Sequence, residues 1–349
     1  MDGTPPARGR HGLLDERGTP MAHDDDDTRD RHAGTASVLA AIAANVGVGV
    51  VKFIAAAVTG SSAMVSEGVH SIVDSGNGLL VLLGLRRARK APTIEHPFGF
   101  GKELYFWTLV VAVSIFALGG GVSVMQGIHA VQAALAGTVE HGSPVAAFVV
   151  LIAAMVIEGL SLRVAIRGFN AARGATPVFR YIRDCKDPSL YTVLLEDTAA
   201  ELGLAFALVG LALTTVTGNA VFDGAASVLI GALLMGVSVI MLSESKGLLV
   251  GEGMTRDELA AARNIVEADP AVQKAGGILT MYFGPQSMLM TVDVTFVPDI
   301  DDAGIIAATE RVEAALVARF PQATRIYIEA EDLAEVGRQR QAQAAMPIE

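Results

Sequence analysis

The sequence SSAMVSEGVHSIVDSGN, at Ser61–Asn77, places ionisable side chains inside an otherwise apolar segment. Glu67, His70 and Asp74 follow one another at intervals of three and four residues, which brings them to one face of a helix. An ionisable side chain in the hydrocarbon core of a bilayer is costly, so its presence indicates a functional site. The segment therefore predicts a membrane helix that carries a polar site.

Composition places the whole chain among membrane proteins. Of its 349 residues, 52% are hydrophobic and 18% are charged, whereas soluble domains carry roughly a quarter charged residues. The apolar residues concentrate between positions 37 and 243, and both ends are polar. The net charge of −11 argues against a nucleic-acid partner, and the single cysteine, Cys185, excludes an internal disulfide and a Cys-rich zinc cluster.

Six segments are long enough to cross a bilayer, for which about 20 apolar residues are needed. They are, in chain order, Ser37–Val58, Met64–Leu85, Leu104–Ala130, Pro144–Ile166, Tyr191–Thr217 and Val221–Leu242. The sequence therefore predicts an α-helical membrane protein with six transmembrane helices, embedded in the lipid bilayer.

Basic residues occur in every second connection between the predicted spans. Lys and Arg occur in the second-to-third and fourth-to-fifth connections, whereas the other three connections contain neither. Because basic loops stay on the cytoplasmic side, this pattern predicts that both termini are cytoplasmic. We expect an integral protein of the cell inner membrane.

The polar ends divide into three regions. Residues 1–35 contain too few apolar side chains to form a core and predict a disordered acidic tail ahead of the transmembrane domain at 36–250. Residues 255–330 predict a helix with a capping box at Thr255–Glu258, then two strands, a helix and a strand. This order suits a small cytosolic α+β domain, ferredoxin-like, with its helices on one sheet face. Residues 331–349 predict a second tail.

The fifth span, LLEDTAAELGLAFALVG, carries a second pair of acids at helical spacing. Asp197 and Glu201 lie four residues apart, with Glu196 beside them. If this span packs against the second, then His70, Asp74, Asp197 and Glu201 converge on one point. An imidazole with carboxylates suits a borderline divalent ion, and a cation or shared protons must offset the repulsion between the acids.

Other polar residues within the spans have weaker assignments. Asn45, Glu67 and Glu196 are candidates for the ion path or for support of the ligands, and Asn45 could equally bond a neighbouring helix. Lys52 is expected either to extend its charged group to the membrane surface near a helix end or to pair with an acid. Glu158 is expected to pair with Arg163 or with an arginine of the adjacent connection.

Four stretches of sequence resemble the cation diffusion facilitator family of metal transporters. They are TGSSAMVSEGVHSIVDSGN (Thr59–Asn77), HPFGFGKELYFW (His96–Trp107), IEGLSLR (Ile157–Arg163) and LLEDTAAELG (Leu194–Gly203), and the last three resemble the branch related to zinc transporter nine. The resemblance implies a homodimer, exchange of a divalent cation for protons, and a metal site built from spans two and five.

His70 and Asp74 match the ligand pair that the family carries in span two, but span five departs from the family pattern. Much of the family has His or Asp followed four residues later by Asp, so Asp197 pairs either with Val193, which binds no metal, or with Glu201. No histidine follows His141, which excludes a histidine-based zinc site in the α+β domain.

The sequence thus predicts a zinc exporter coupled to protons, with no bound cofactor. Manganese, iron or cobalt are alternative cargoes, because one His with three carboxylates is a harder ligand set than a site with two histidines. A membrane metal sensor and an intramembrane metalloenzyme are the rival classes. The sequence contains no H-E-x-x-H motif and no nucleophile elbow, so we expect that it is not an enzyme.

Overall fold

A computed structural model of the protein describes residues 45–137 and 144–331. Within these ranges, five helices are long and apolar enough to cross a membrane: Ser62–Ala88 (α2), Lys102–Leu135, Pro144–Arg173 (α5), Tyr191–Thr217 and Val221–Val250 (α8). The shorter apolar helix Asn45–Thr59 (α1) precedes them. The first of the six predicted spans, Ser37–Val58, stays a prediction, because its first part lies outside the described residues. The two predicted tails also lie outside them, apart from Glu331.

The long helix Lys102–Leu135 is built from three parts. An α-helix at Lys102–Ser114 (α3) leads into a π-helical segment at Ile115–Gly121, and a second α-helix follows at Val122–Leu135 (α4). The π segment contains three consecutive glycines and packs beside α8. π-Helical turns are rare and are inserted into α-helices, so this one marks a local departure inside a membrane-spanning helix.

Glycines bring α4 and the π segment into backbone contact with α8. A Cβ atom at Gly127 would lie 2.7 Å from the carbonyl oxygen of Gly224, and one at Gly231 would lie 2.7 Å from that of Gly120. A side chain does not fit at such distances. These helices therefore pack at the close range that small residues permit in membranes.

Local signals set the ends of the next helices. A short helix at Val178–Asp184 (α6), which the sequence did not predict, follows α5. The helix α7 (Pro188–Thr217) begins with Asp187 as its N-cap and proline in its first turn, and it ends at Gly218 in the left-handed conformation (φ 68°). Proline at the start and glycine at the end are the residues that helix termini favour.

The α+β domain has the element order that the sequence predicted. The elements are α9 (Arg256–Glu267), β1 (Val272–Gly284), β2 (Ser287–Phe296), α10 (Asp302–Arg319) and β3 (Ala323–Ala330). The sheet order is β1-β2-β3, with β1 antiparallel and β3 parallel to β2. The capping box at Thr255 and Glu258 is confirmed.

Alternate residues of β2 form the core of this domain. Met288, Met290, Val292 and Val294 are buried and share one apolar cluster with residues of α9 and α10. Because side chains on a strand alternate between faces, both helices pack on the same face of the sheet. On the opposite face, which we call the open face, Leu279 and Tyr327 remain exposed in the single chain.

The connection between α2 and α3 rests on the α+β domain. The rings of Phe98 and Phe283 stack with centroids 4.6 Å apart, and Arg325 donates a hydrogen bond to the carbonyl oxygen of Pro97 (3.2 Å). Ahead of α7, Lys186 forms an ion pair of 2.6 Å with Glu252, which lies just ahead of α9. The HPFGFG motif therefore joins α2 to the α+β domain.

The N-terminus of α2 is held by a buried acid of α8. The carboxylate of Asp223 accepts hydrogen bonds from the hydroxyls of Ser61 and Ser62 and from the backbone N–H groups of Ser62 and Ala63. A carboxylate at this position satisfies the free N–H groups of the first turn and lies at the positive end of the helix dipole.

Asp223→Asn should lower the free energy of unfolding by about 2 kcal/mol or more, because an amide cannot replace a carboxylate that accepts all of these hydrogen bonds. Thermal unfolding of the purified protein in detergent measures the effect. Asp299→Asn is the matched control, because Asp299 has a left-handed backbone (φ 63°) that asparagine also adopts. Equal midpoints for the two variants would contradict the assigned role of Asp223.

In the α+β domain, Arg311 forms two hydrogen bonds with Asp269, of 2.8 and 2.9 Å, and holds the pKa of that carboxyl below its usual range. A lowered pKa stabilises the fold above the unfolded pKa, and this stabilisation is lost as the pH falls through the folded value. Arg311→Gln should therefore destabilise the domain at pH 7, and its effect should shrink as the pH falls below the unfolded carboxyl pKa of about 3.9. Hydrogen exchange of the β1 amides measures the difference.

Candidate metal centre

The polar residues of α2 face the inside of the helix bundle. Glu67, His70 and Asn77 are 0%, 5% and 2% exposed, and Asp74 is partly buried. Their spacing of three and four residues places them on one stripe of the helix, which the neighbouring helices α1 and α7 cover. The stripe predicted from the sequence is therefore a buried polar stripe.

One group of polar side chains lies at the depth of Asp74, toward the end of the bundle that meets the α+β domain. Asn45 donates to Asp74 (2.6 Å), and Asn77 donates to Glu196 (3.0 Å). On the neighbouring α5, Ser161 donates to Asp197 (2.8 Å). We call Asn45, Asp74, Asn77, Ser161, Glu196 and Asp197 the domain-side layer. Each of its carboxylates accepts a hydrogen bond from a neutral side chain of another helix.

A second group lies farther from the domain and is centred on a lysine. The ammonium group of Lys52 contacts Glu67 (3.2 Å), Ser71 (3.0 Å) and Glu158 (3.7 Å). These residues come from α1, α2 and α5, and we call them the lysine cluster. Glu201 lies close enough to Lys52 and Glu158 for their charges to interact.

The lysine cluster decides between the partners that the sequence left open. Lys52 pairs with acids, as one of its two alternatives predicted. The predicted arginine partner of Glu158 is wrong. Arg163 lies five residues farther along the same helix, about 140° around the axis, and its side chain is exposed, whereas Lys52 reaches Glu158 from a neighbouring helix.

The predicted ligands divide between these two groups. Asp74 and Asp197 belong to the domain-side layer and lie within electrostatic range of each other. His70 lies between Glu67 and Ser71, the two residues that α2 contributes to the lysine cluster, and Glu201 lies beside that cluster. Within residues 45–137 and 144–331, no three His, Cys, Asp or Glu side chains stand close enough together to hold a metal ion. The ligand set His70, Asp74, Asp197 and Glu201 therefore stays a prediction.

Val193, the alternative partner of Asp197, is an exposed apolar side chain (46%). It provides no atom that could bind a cation. Glu196 is 9% exposed and interacts with Asp74 as well as with Asn77, so a second carboxylate of α7 is available at the depth of Asp197. The choice between Glu201 and Glu196 for the fourth ligand stays open.

Several buried polar atoms of this region lack a hydrogen-bond partner within the described part of the chain. They include Oε1 of Glu67, Nδ1 of His70 and Oε2 of Glu201. Buried polar atoms of folded proteins are nearly always paired, so each exception requires a ligand, a water or a proton. Two of these three side chains belong to the predicted ligand set, and their chemistry suits a divalent cation.

Sequence reasoning missed Ser71 and Ser161 and gave no role to Asn77. Spacing could have found all three. Ser161 follows Glu158 by three residues, Asn77 follows Asp74 by three, and Ser71 precedes Asp74 by three, so each shares a helix face with an acid. Serine alone is common in membrane helices, and the hydrogen bonds identify which serines belong to the site.

Comparison with known proteins identifies the family. Residues 38–250, more than half of the chain, match the model of the cation efflux transmembrane domain. The mitochondrial proton-coupled zinc antiporter SLC30A9 of Mus musculus is 32% identical over 251 residues, which are 70% of this chain and 43% of that protein. Metal tolerance protein C4 of Arabidopsis thaliana is 32% identical over 238 residues, 68% of this chain and 51% of that protein.

A third relative is the magnetosome protein MamM of Paramagnetospirillum magneticum, 33% identical over 121 residues, which are 35% of this chain and 36% of that protein. The chain spans about half or less of the length of the antiporter and of the plant protein. The family match and the apolar helices together identify an integral membrane protein. The chain belongs to the cation efflux family, also called the cation diffusion facilitator family, as its α2 and α7 motifs predicted.

Proposed function

We propose that the protein exports a divalent metal cation, zinc, in exchange for protons. The observation that carries this proposal is the domain-side layer, in which α1, α2, α5 and α7 bring three carboxylates and their neutral donors to one depth of the bundle. Carboxylates in lipid need a compensating cation or protons. A path that alternates between a metal ion and protons supplies both.

We propose His70, Asp74, Asp197 and Glu201 as the ligands of the transported ion, with Glu196 as the alternative to Glu201. The unpartnered His70 Nδ1 and Glu201 Oε2 support this set. Asn45 and Ser161 donate hydrogen bonds to Asp74 and Asp197. These hydrogen bonds would break when a cation binds the carboxylate oxygens. Asn45, Glu67 and Glu196 line the path beside the ligands.

Proton exchange follows from the chemistry of this ligand set. Carboxylates and imidazole must lose their protons before they bind a metal ion, so metal affinity rises with pH. In an alternating-access cycle, ion and protons compete for the same side chains when the site faces the more acidic compartment. A proton gradient would then drive the release of the metal ion.

Zinc is the proposed cargo because relatives at about 32% identity include a proton-coupled zinc antiporter by name. Manganese, iron and cobalt are the alternatives, since one imidazole with three carboxylates is a hard ligand set. A sensor or a metalloenzyme could use the same side chains but would move no ion across the membrane. Membership of a family of transporters favours transport and argues against an enzyme.

We further propose the complete architecture that the sequence predicted. The first of six spans would begin at Ser37, and both termini would be cytoplasmic, in the cell inner membrane. Residues 1–35 and 331–349 would be tails around the transmembrane domain (36–250) and a ferredoxin-like cytosolic domain (255–330). That domain would join two chains through the open face of its sheet.

Support for the dimer comes from a row of side chains on this open face. Leu279 pairs with Thr291, and Thr291 pairs with Tyr327, across the three strands. Leu279 and Tyr327 are 73% and 55% exposed in the single chain. Exposed apolar side chains that cluster on one surface mark an interaction site.

Transport should be lost when an acid of the domain-side layer is neutralised. In proteoliposomes with an imposed pH gradient, Asp74→Asn and Asp197→Asn should each reduce zinc flux at least 10- to 100-fold, the range that results from the loss of even an outer partner of a metal ligand. Wild-type flux should increase when the pH gradient is made steeper. Zinc-sensitive dye inside the vesicles measures the rate.

Asp257→Asn is the matched control for these variants, because Asp257 is an exposed acid that pairs with Arg180 outside the bundle. It should transport zinc at the wild-type rate. A well-folded wild type that moves none of zinc, manganese, iron or cobalt would refute the transport proposal and favour the sensor.

Dimerisation should fail when charge is placed on the open sheet face. Leu279→Asp combined with Tyr327→Asp should shift the detergent-solubilised protein from dimer to monomer, because burying the new carboxylates would be costly. Size-exclusion chromatography with light scattering measures the mass. Ile306→Asp, at an exposed position of α10 (60%), is the matched control. A double variant that remains dimeric would contradict the proposed interface.

A further inference from the structure

The most deeply buried cation of the described residues lies inside the helix bundle. The side chain of Lys52 is 0% exposed, and so is that of Glu67, its partner at 3.2 Å. A buried ammonium group persists only where acids and hydrogen bonds replace its water. The proposed transport mechanism gives this lysine no role, although its two partners on α2, Glu67 and Ser71, flank the predicted ligand His70.

The atoms around Lys52 resemble the oxygen ligands of a metal ion. Glu67 Oε2, Ser71 Oγ and Glu158 Oε1 converge on its Nζ from two helices, at 3.2, 3.0 and 3.7 Å. Oxygen donors of this kind, carboxylates above all, are the ligands of hard divalent cations. The ammonium group occupies the point at which such an ion would sit.

One carboxylate oxygen of the lysine cluster is not bonded to Lys52 or to any other described group. Glu67 Oε1 has no hydrogen-bond partner in the described part of the chain, although Glu67 is fully buried. A Cβ atom at Gly203 of α7 would lie 2.6 Å from this oxygen, so the glycine leaves the space that the carboxylate needs. The cluster therefore has a further oxygen atom that could serve as a ligand and that Lys52 does not use.

We propose that Lys52 is a tethered cation that fills a second, carboxylate-built cation site, and that it thereby limits the protein to one divalent ion at a time. The ammonium group supplies a single positive charge that cannot leave. Without it, Glu67 and Glu158 would face each other in a buried place and would take a free divalent cation. The inference rests on the proposed function only in treating the other ion as cargo, since occupancy itself is measured by binding.

Lys52→Met tests the proposal because it keeps the length of the side chain and removes the charge. Equilibrium dialysis of the purified full-length protein against MnCl₂ should show one additional Mn²⁺ ion per chain compared with wild type. Lys52→Arg should bind the wild-type number, because the tethered charge remains. Lys52→Met combined with Glu67→Gln should lose the additional ion. Lys246→Met, at an exposed position of α8, is the matched control.

The same variant gives a stability measurement that does not depend on counting ions. In a chelator, Lys52→Met should unfold at a lower temperature than wild type, because two acids are left uncompensated. Adding Mn²⁺ should restore most of the loss, because the ion replaces the ammonium group. A variant that binds no additional Mn²⁺, or that Mn²⁺ fails to restore, would overturn the proposal.

A second background separates this inference from the proposed function. Asp74→Asn with Asp197→Asn should abolish binding of the cargo ion, and adding Lys52→Met should still introduce one Mn²⁺ ion per chain. If wild type binds no metal but Lys52→Met binds one ion, then the transport proposal fails and the tethered cation stands. If wild type transports zinc and Lys52→Met binds nothing further, then the reverse holds.

Discussion

The structure depends on the cost of holding charge where water is absent. Asp74, Glu196, Asp197, Glu67 and Glu158 all lie within a bundle whose outer surface is apolar. Each finds either a neutral donor or the ammonium group of Lys52. Because an unpaired charge in such a place is costly, these contacts constrain how α1, α2, α5 and α7 pack against one another.

The two groups of acids are compensated in different ways. The domain-side layer uses amides and a hydroxyl, which share hydrogen bonds but bring no charge. The lysine cluster uses a covalently attached cation. The first arrangement leaves the negative charge in place, and the proposed binding and release of an ion would depend on that charge. A tethered cation suits a position from which free ions are excluded.

The bundle is also connected to the α+β domain at defined points. The HPFGFG connection follows α2 and stacks on Phe283 of β1, and Lys186, just ahead of α7, pairs with Glu252. The two helices that carry the predicted ligands therefore both lead directly to contacts near the domain. Only short connections therefore separate α2 and α7 from the contacts with the α+β domain.

Much of the fold could be predicted from sequence because its signals are local. The apolar runs, the capping box at Thr255, the alternation in β2 and the helix spacing of His70 and Asp74 each depend on neighbours within a few residues. The helix α6 was missed because its seven residues make only two turns, too few to show a helical repeat in the sequence. The stripe on α2 was predicted correctly, whereas the arginine partner of Glu158 was wrong.

The sequence by itself determined that acids and an imidazole lie inside membrane helices, because hydrophobic composition and helical spacing are properties of the sequence alone. Only the tertiary structure decided which partner each of them has. Lys52 meets Glu158, and Asn77 meets Glu196, across helices that are far apart in the chain. Helical periodicity gives the face on which a residue lies, but the helix that covers that face is set by packing over the whole bundle.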